Sequence, residues 1–227
     1  MRRPVVDYSG FRISKLRDPR FSHLLLLLGW LVYFAGYFLT ENLIPAERCH
    51  LIHSGLDDVI PFVPGFLVFY VSWYALTAGS LLYYLLYDVE RFRQLQIFIM
   101  ITQAAAMVIY VLYPSRQDLR PDTFTHPGIL TWILGMIYAF DTPTGVFPSL
   151  HVAFSIGIAS VWRKDKNAPR PWRAFVVLMA VLISLSTTMI KQHSVLDIFA
   201  ALPVALLAEA VVFGKSYWLP RWRRRRK

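Results

Sequence analysis

Six stretches of the chain hold no Asp, Glu, Lys or Arg: 21–40, 59–87, 94–115, 123–140, 142–162 and 174–190. No other feature limits the possible folds so strongly. In hydrocarbon every backbone amide needs a partner within the protein, so only helices and closed barrels cross a bilayer. A helix does so with about 20 apolar residues. Barrel strands alternate apolar and polar positions, and these runs do not alternate. The expected class is all-α: an integral membrane bundle of six transmembrane helices near 22–40, 64–87, 95–113, 147–163, 174–190 and 195–213. No repeat or low-complexity linker divides it, so one domain over 1–227 is expected. Residues 1–20 are basic and precede an apolar run, as in a secretory signal. That run is too long and lacks a small-residue cleavage site, so it reads as a retained first span.

The basic residues orient the bundle. Net charge is +10, and 20 of the 24 Lys/Arg fall in 1–21, 88–94, 163–173 and 214–227. Short cytoplasmic loops carry the Lys/Arg excess, which puts both termini in the cytoplasm. Counting 127–140 as a seventh span would export the "RKDKNAPRPWR" loop and the "RWRRRRK" tail. At 14 residues that segment suits a short interfacial or re-entrant helix before the fourth span. The charge is spread over loops instead of one face, so nucleic acid is not an expected partner. Cys49 is the sole cysteine, so no internal disulfide forms.

Four basic residues remain: Arg48, Arg116, Arg120 and Lys191. Three of them mark polar clusters that this topology puts at one depth, on the outer side. In "KQHSVLD", 191–197, His193 and Asp197 are four apart and share a helix face. The carboxylate can hold one ring nitrogen and leave the other free to attack. In "FPSLH", 147–151, Pro148 and Ser149 open a helix whose free N–H groups suit phosphate, and His151 sits where it can give a proton. In "YPSRQDLRP", 113–121, Arg116 and Arg120 offer guanidinium forks for phosphate oxygens, and Lys191 adds a third charge. Ionisable groups at membrane depth are costly and usually functional. The alternative at each cluster is structural: a packing pair, an ordinary helix start, or solvated loop charges.

A further outer cluster, "ERCHLIHSGLDD" at 47–58, spaces Cys49, His50, His53 and Asp57 as a metal site could. A solvated loop or interfacial helix is the preferred reading there. His23 and His126 have no companions and receive no role.

Together these residues resemble the type 2 phosphatidic acid phosphatase superfamily, membrane relatives of the vanadium haloperoxidases. The resemblance covers roughly 110–200 and rests on Pro148, Ser149, His151, His193 and Asp197. It implies that His193 is the phosphoryl-accepting nucleophile, oriented by Asp197. It implies that His151 is the acid and base, and that Arg120 and Pro121 contact phosphate. Tyr113 stands where the phosphatases have lysine, Leu150 where they usually have glycine, and Ser186 and Thr187 where they have a Ser-Arg pair. These departures look more like the inositolphosphotransferase and sphingolipid-synthase branch, with Arg116 and Lys191 replacing the lost charges.

The expected activity is metal- and cofactor-independent transfer of a phosphoryl or phospho-head group from a lipid phosphate or phospholipid. A lipid phosphatase is the first form and a head-group transferase the second. A non-catalytic lipid-binding or transport protein is the alternative from another class. The expected setting is a bacterial cell membrane, with an organelle membrane as the alternative.

Overall fold

The structure, a computed structural model, describes residues 4–225. Met1, Arg2, Arg3, Arg226 and Lys227, part of the basic ends used in the topology argument, lie outside the described residues.

The fold is helical. A 3-10 segment, Ser22–Leu27, leads into α1 (Leu28–Leu43). The following loop forms β1 (His50–Leu51) and the short α2 (Gly55–Val59). Next come α3 (Leu67–Tyr87), α4 (Val89–Leu112), β2 (Ser115–Arg116) and α5 (Ile129–Phe140). The chain ends with α6 (Leu150–Lys164), α7 (Arg170–Met189), α8 (Val195–Phe213) and α9 (Leu219–Arg225). Five helical segments are long and apolar enough to cross a membrane: Ser22–Leu43, Pro64–Tyr87, Val89–Leu112, Arg170–Met189 and Val195–Trp222. α6, the expected fourth span, has only 15 residues, about 22 Å of helix. It packs against α3, α4, α7 and α8 and is the central helix. α5 is a 12-residue apolar helix.

Local chemistry sets the helix ends. Asp88 breaks α3 from α4 and caps α4, its side chain accepting from the Arg91 N–H at 3.1 Å. Pro169 and Pro171 flank the first residue of α7, where a missing N–H is harmless. Ser194 and Asp197 form a capping box that starts α8. α4 begins at Val89, six residues before the apolar stretch does, because "ERFRQL" is charged yet continues the helix.

Apolar surface faces outward. α1 has no buried residue, and Leu31 and Val32 are 66% and 74% exposed. That pattern suits a hydrocarbon solvent. Lipid tails are as apolar as leucine, so close packing must hold such helices together. Gly157 lets α6 meet α4: a Cβ there would lie 2.5 Å from the Phe98 ring. Buried polar side chains pair across helices. Trp30 Nε1 donates to Gln96 Oε1 at 3.1 Å, and Trp162 Nε1 donates to Ser80 Oγ at 2.9 Å.

The loop after α1 returns to the bundle. β1 and β2 pair in parallel, His50 with Ser115 and Leu51 with Arg116. This two-residue sheet ties the 46–60 segment to the 113–118 segment, beside the starts of α6 and α8.

Candidate active site

His193 occupies the turn between α7 and α8. Its N–H, and that of Gln192, donate to the Thr187 carbonyl at 3.0 and 2.9 Å, which folds the turn back on α7. Lys191 takes a left-handed backbone, φ 56°, to make the reversal. The i, i+4 spacing then delivers its pairing: His193 Nδ1 lies 2.9 Å from Asp197 Oδ2. Asp197 is fully buried, and the same oxygen accepts the Ser194 N–H at 3.1 Å. A carboxylate there favours the proton on Nδ1 and leaves Nε2 with its lone pair. The His193 side chain is 12% exposed.

His151 opens α6 and faces His193, the ring centroids 6.0 Å apart at 60°. That is about two hydrogen-bond lengths. The Ser149 N–H donates to the Asp197 carbonyl at 3.2 Å, so the starts of α6 and α8 are stitched directly together. Aromatic rings hold His151 from α3: Tyr70 at 4.4 Å and Trp73 at 4.3 Å. Three buried polar atoms here have no protein partner: Ser149 Oγ, His151 Nε2 and Asp197 Oδ1. Buried polar atoms are nearly always bonded, so unpartnered atoms on three residues of one cluster are exceptions to the rule.

The cations go different ways. Arg120 reaches the neighbour of His193. Its Nη2 donates to Gln192 Oε1 at 2.6 Å and to the Thr142 carbonyl at 3.3 Å. Its Nη1 donates to the carbonyls of Tyr138 and Asp141 at 3.1 and 2.8 Å. Four of its five N–H bonds are thus engaged by protein. Lys191 points the other way: Nζ donates to the Asp57 and Ile60 carbonyls, both at 2.7 Å, and clasps the end of α2. Arg116 sits in β2, bridged to Thr144. Of the three cations expected at phosphate, the structure brings Arg120 to the neighbour of His193, with four of its donors occupied, and turns Lys191 to the end of α2.

Two acidic residues join the site unforeseen. Asp141 follows α5. Its Oδ2 accepts from Gln192 Nε2 and its Oδ1 from the Tyr37 hydroxyl, at 3.5 and 3.4 Å. Burial raises its pKa, opposed by the charges of Arg120 and His193. Burial also lowers the pKa of Arg120, opposed first by Asp141. A readable signal existed: Asp141 is the lone charge between two apolar stretches. Asp57, 2% exposed, crosses from α2 to the start of α8. Its Oδ2 accepts from Ser194 Oγ at 2.6 Å and its Oδ1 from the Val195 N–H at 2.8 Å.

The 47–58 loop does not converge as a metal cluster would. Cys49 Sγ meets the Pro45 carbonyl, His50 stacks on Tyr113 at 4.2 Å, and His53 pairs with Asp58 at 2.9 Å. Asp57 is committed to α8. No group of three or more potential metal ligands occurs among the described residues. His23 bonds the Tyr8 hydroxyl at 2.8 Å, a structural role.

No family model matches the chain, and comparisons with curated proteins and with solved structures give no match. The functional reading rests on the chemistry of these side chains.

Proposed function

We propose that this chain is a membrane enzyme that moves a phosphoryl or phospho-head group from a lipid through a phosphohistidine at His193. The observation that carries the reading is the His193–Asp197 pair at 2.9 Å with the His151 ring 6.0 Å away. In this reading α6 is a fourth crossing, which gives six spans with both termini in the cytoplasm. α5 lies in the outer interface, and the site faces the outer headgroup layer. The likeness to the type 2 phosphatidic acid phosphatase superfamily supports the same roles.

Nε2 of His193 attacks phosphorus while the bond to the departing alkoxide breaks. Asp197 stabilises the imidazolium so formed. His151 protonates the leaving oxygen, a contribution on the order of 10²–10⁴ in rate. It then takes a proton from the acceptor hydroxyl as that oxygen displaces His193 from phosphorus. The free N–H groups at the start of α6, with Ser149 Oγ, face the charge developing on the phosphoryl oxygens. Arg120 supplies positive field from behind Gln192.

Water as acceptor makes the enzyme a lipid phosphatase. Head-group transfer to a lipid hydroxyl is the second reading, and Asp141, bonded to Gln192 beside His193, favours it. When ionised, that side chain repels a phosphomonoester dianion more than a diester monoanion. Purified protein in detergent separates the readings. Phosphate released from phosphatidic acid alone supports hydrolysis. Turnover of a phosphodiester phospholipid only when diacylglycerol or ceramide is added supports transfer. Turnover that survives His193→Ala and His151→Ala would remove the enzyme reading and leave lipid binding or transport.

A further inference from the structure

We propose that Asp57, from the outer loop before α3, is a positioning residue for His193, acting through Ser194; the inference rests on the phosphohistidine reading above. Asp57 lies 137 positions from Ser194 and is nearly inaccessible to solvent. Each of its oxygens is committed. Oδ1 accepts the Val195 N–H at 2.8 Å. Oδ2 accepts the Ser54 N–H at 2.9 Å and the Ser194 hydroxyl at 2.6 Å.

The hydroxyl bond sets a direction. A serine has one proton to donate, and Asp57 takes it. Ser194 Oγ is thereby turned so that its lone pair accepts the Leu196 N–H at 3.1 Å. The Ser194 N–H is left for Asp197 Oδ2, the oxygen that holds His193 Nδ1. Asp57 therefore specifies how Ser194 is arranged, Ser194 helps to place Asp197, and Asp197 fixes the ring of His193. Without Asp57 the Ser194 hydroxyl is free to donate elsewhere. Asp197 Oδ1 is an open, buried acceptor on the same helical turn. A bond to it would pull the carboxylate away from His193. The clasp of Lys191 on the Asp57 and Ile60 carbonyls locks the arrangement from the other side.

The other candidate explanation is that Asp57 only anchors a loop. The two differ in what they do to the imidazole. The test uses the full chain in detergent micelles with Asp57→Asn, Asp57→Ala and, as a comparator far from the site, Ser80→Ala, which breaks the bond to Trp162. Two measurements are made on each. One is kcat and KM on phosphatidic acid or on the phosphodiester phospholipid with its acceptor, whichever wild type turns over. The other is the ¹⁵N spectrum of histidine-labelled protein, in which the Nδ1–H form of His193 is assigned with His193→Ala. Positioning predicts that kcat falls about 10- to 100-fold with KM within about twofold, a range taken from the partners that orient metal-bound histidines. It also predicts that the single Nδ1–H signature gives way to a tautomer mixture. Ser80→Ala leaves both unchanged. Asp57→Asn preserves volume and the Val195 contact, and it decides the matter if Asp57→Ala does not fold. A folded Asp57→Asn with wild-type kcat and an intact signature overturns the proposal. So does a loss of turnover that follows melting temperature equally in Ser80→Ala. If wild type turns over no lipid yet Asp57→Asn still scrambles the tautomer, the positioning stands and the enzyme reading falls.

Discussion

Asp197→Asn is the sharpest probe of the site, because it changes one charge and almost no volume. In the wild type, Oδ2 accepts from both His193 Nδ1 and the Ser194 N–H. An asparagine oxygen in the place of Oδ2 can accept both, so the two bonds survive and the charge is lost. The amide nitrogen then falls at the Oδ1 position, which has no protein partner. The carboxylate and an imidazolium at about 4 Å attract by roughly 4 kcal/mol at an effective dielectric of about 20. That energy is worth about 10³ in rate, so the expected loss in kcat is about 10³-fold. KM should hold within a few-fold, since Asp197 is buried behind the ring and does not face substrate. Melting temperature should change little, because the helix cap survives. Steady-state turnover on the productive phospholipid, with trapping of acid-labile, base-stable phosphoprotein, measures the effect. A folded Asp197→Asn enzyme within tenfold of wild-type kcat would refute the assigned role of His193.

Arg120→Lys keeps the charge but cannot hold four acceptors in a fixed fork; it should lower the melting temperature and cut kcat at least tenfold, and wild-type values for both would show that only its field matters. Asp141→Asn should stabilise the fold at neutral pH. The Asp141 pKa is raised on folding, so ionisation costs stability once pH exceeds its ordinary value of 3.8. The advantage of the variant should vanish as pH falls below that value, which melting curves from pH 3 to 8 would test. Gly157→Ala forces a methyl toward the buried Phe98 ring and should cost about 1–3 kcal/mol, read as a lower melting temperature; an unchanged value would mean that α4 and α6 do not pack this closely.

Much of the architecture is legible because hydrocarbon is a strict solvent. Long charge-free runs can only be helices, and five of the six expected spans match helical segments to within four residues at each end. The exception, the start of α4, has a physical reason. "ERFRQL" is helical though charged, because helix propensity does not depend on hydropathy. α6 lies close to its expected bounds, yet at 15 residues it is shorter than the other five. His193 with Asp197 is legible from spacing alone, since four residues make one helical turn. The partners of Arg120 and Lys191 are not legible: they are backbone carbonyls, and a carbonyl carries no signature in the sequence. Asp57 is half legible. Its own capping box with Ser54 can be read locally, but its bond to Ser194 exists only through the fold of the outer loop.

The fate of the cations follows from one constraint. In a low dielectric an unpaired charge is expensive, so each basic side chain near the site must find oxygen when no anion is bound. Lys191 finds two carbonyls and Arg120 finds three carbonyls and an amide. Lys191 closes the loop whose Asp57 holds Ser194, and Arg120 holds Gln192, the residue before His193. Both cations thus fasten the turn that carries His193. In the proposed reading, the donors left for an incoming phosphoryl group are the N–H groups at the start of α6 and Ser149 Oγ, with His151 as the acid. Such a site would attract a phosphate less strongly than bare guanidinium groups, yet its donors would be fixed before the substrate arrives. Fixed donors act most on charge that develops during reaction. If the proposed reaction holds, the same arrangement weakens ground-state binding and leaves stabilisation of the transition state intact, which is the direction that raises kcat.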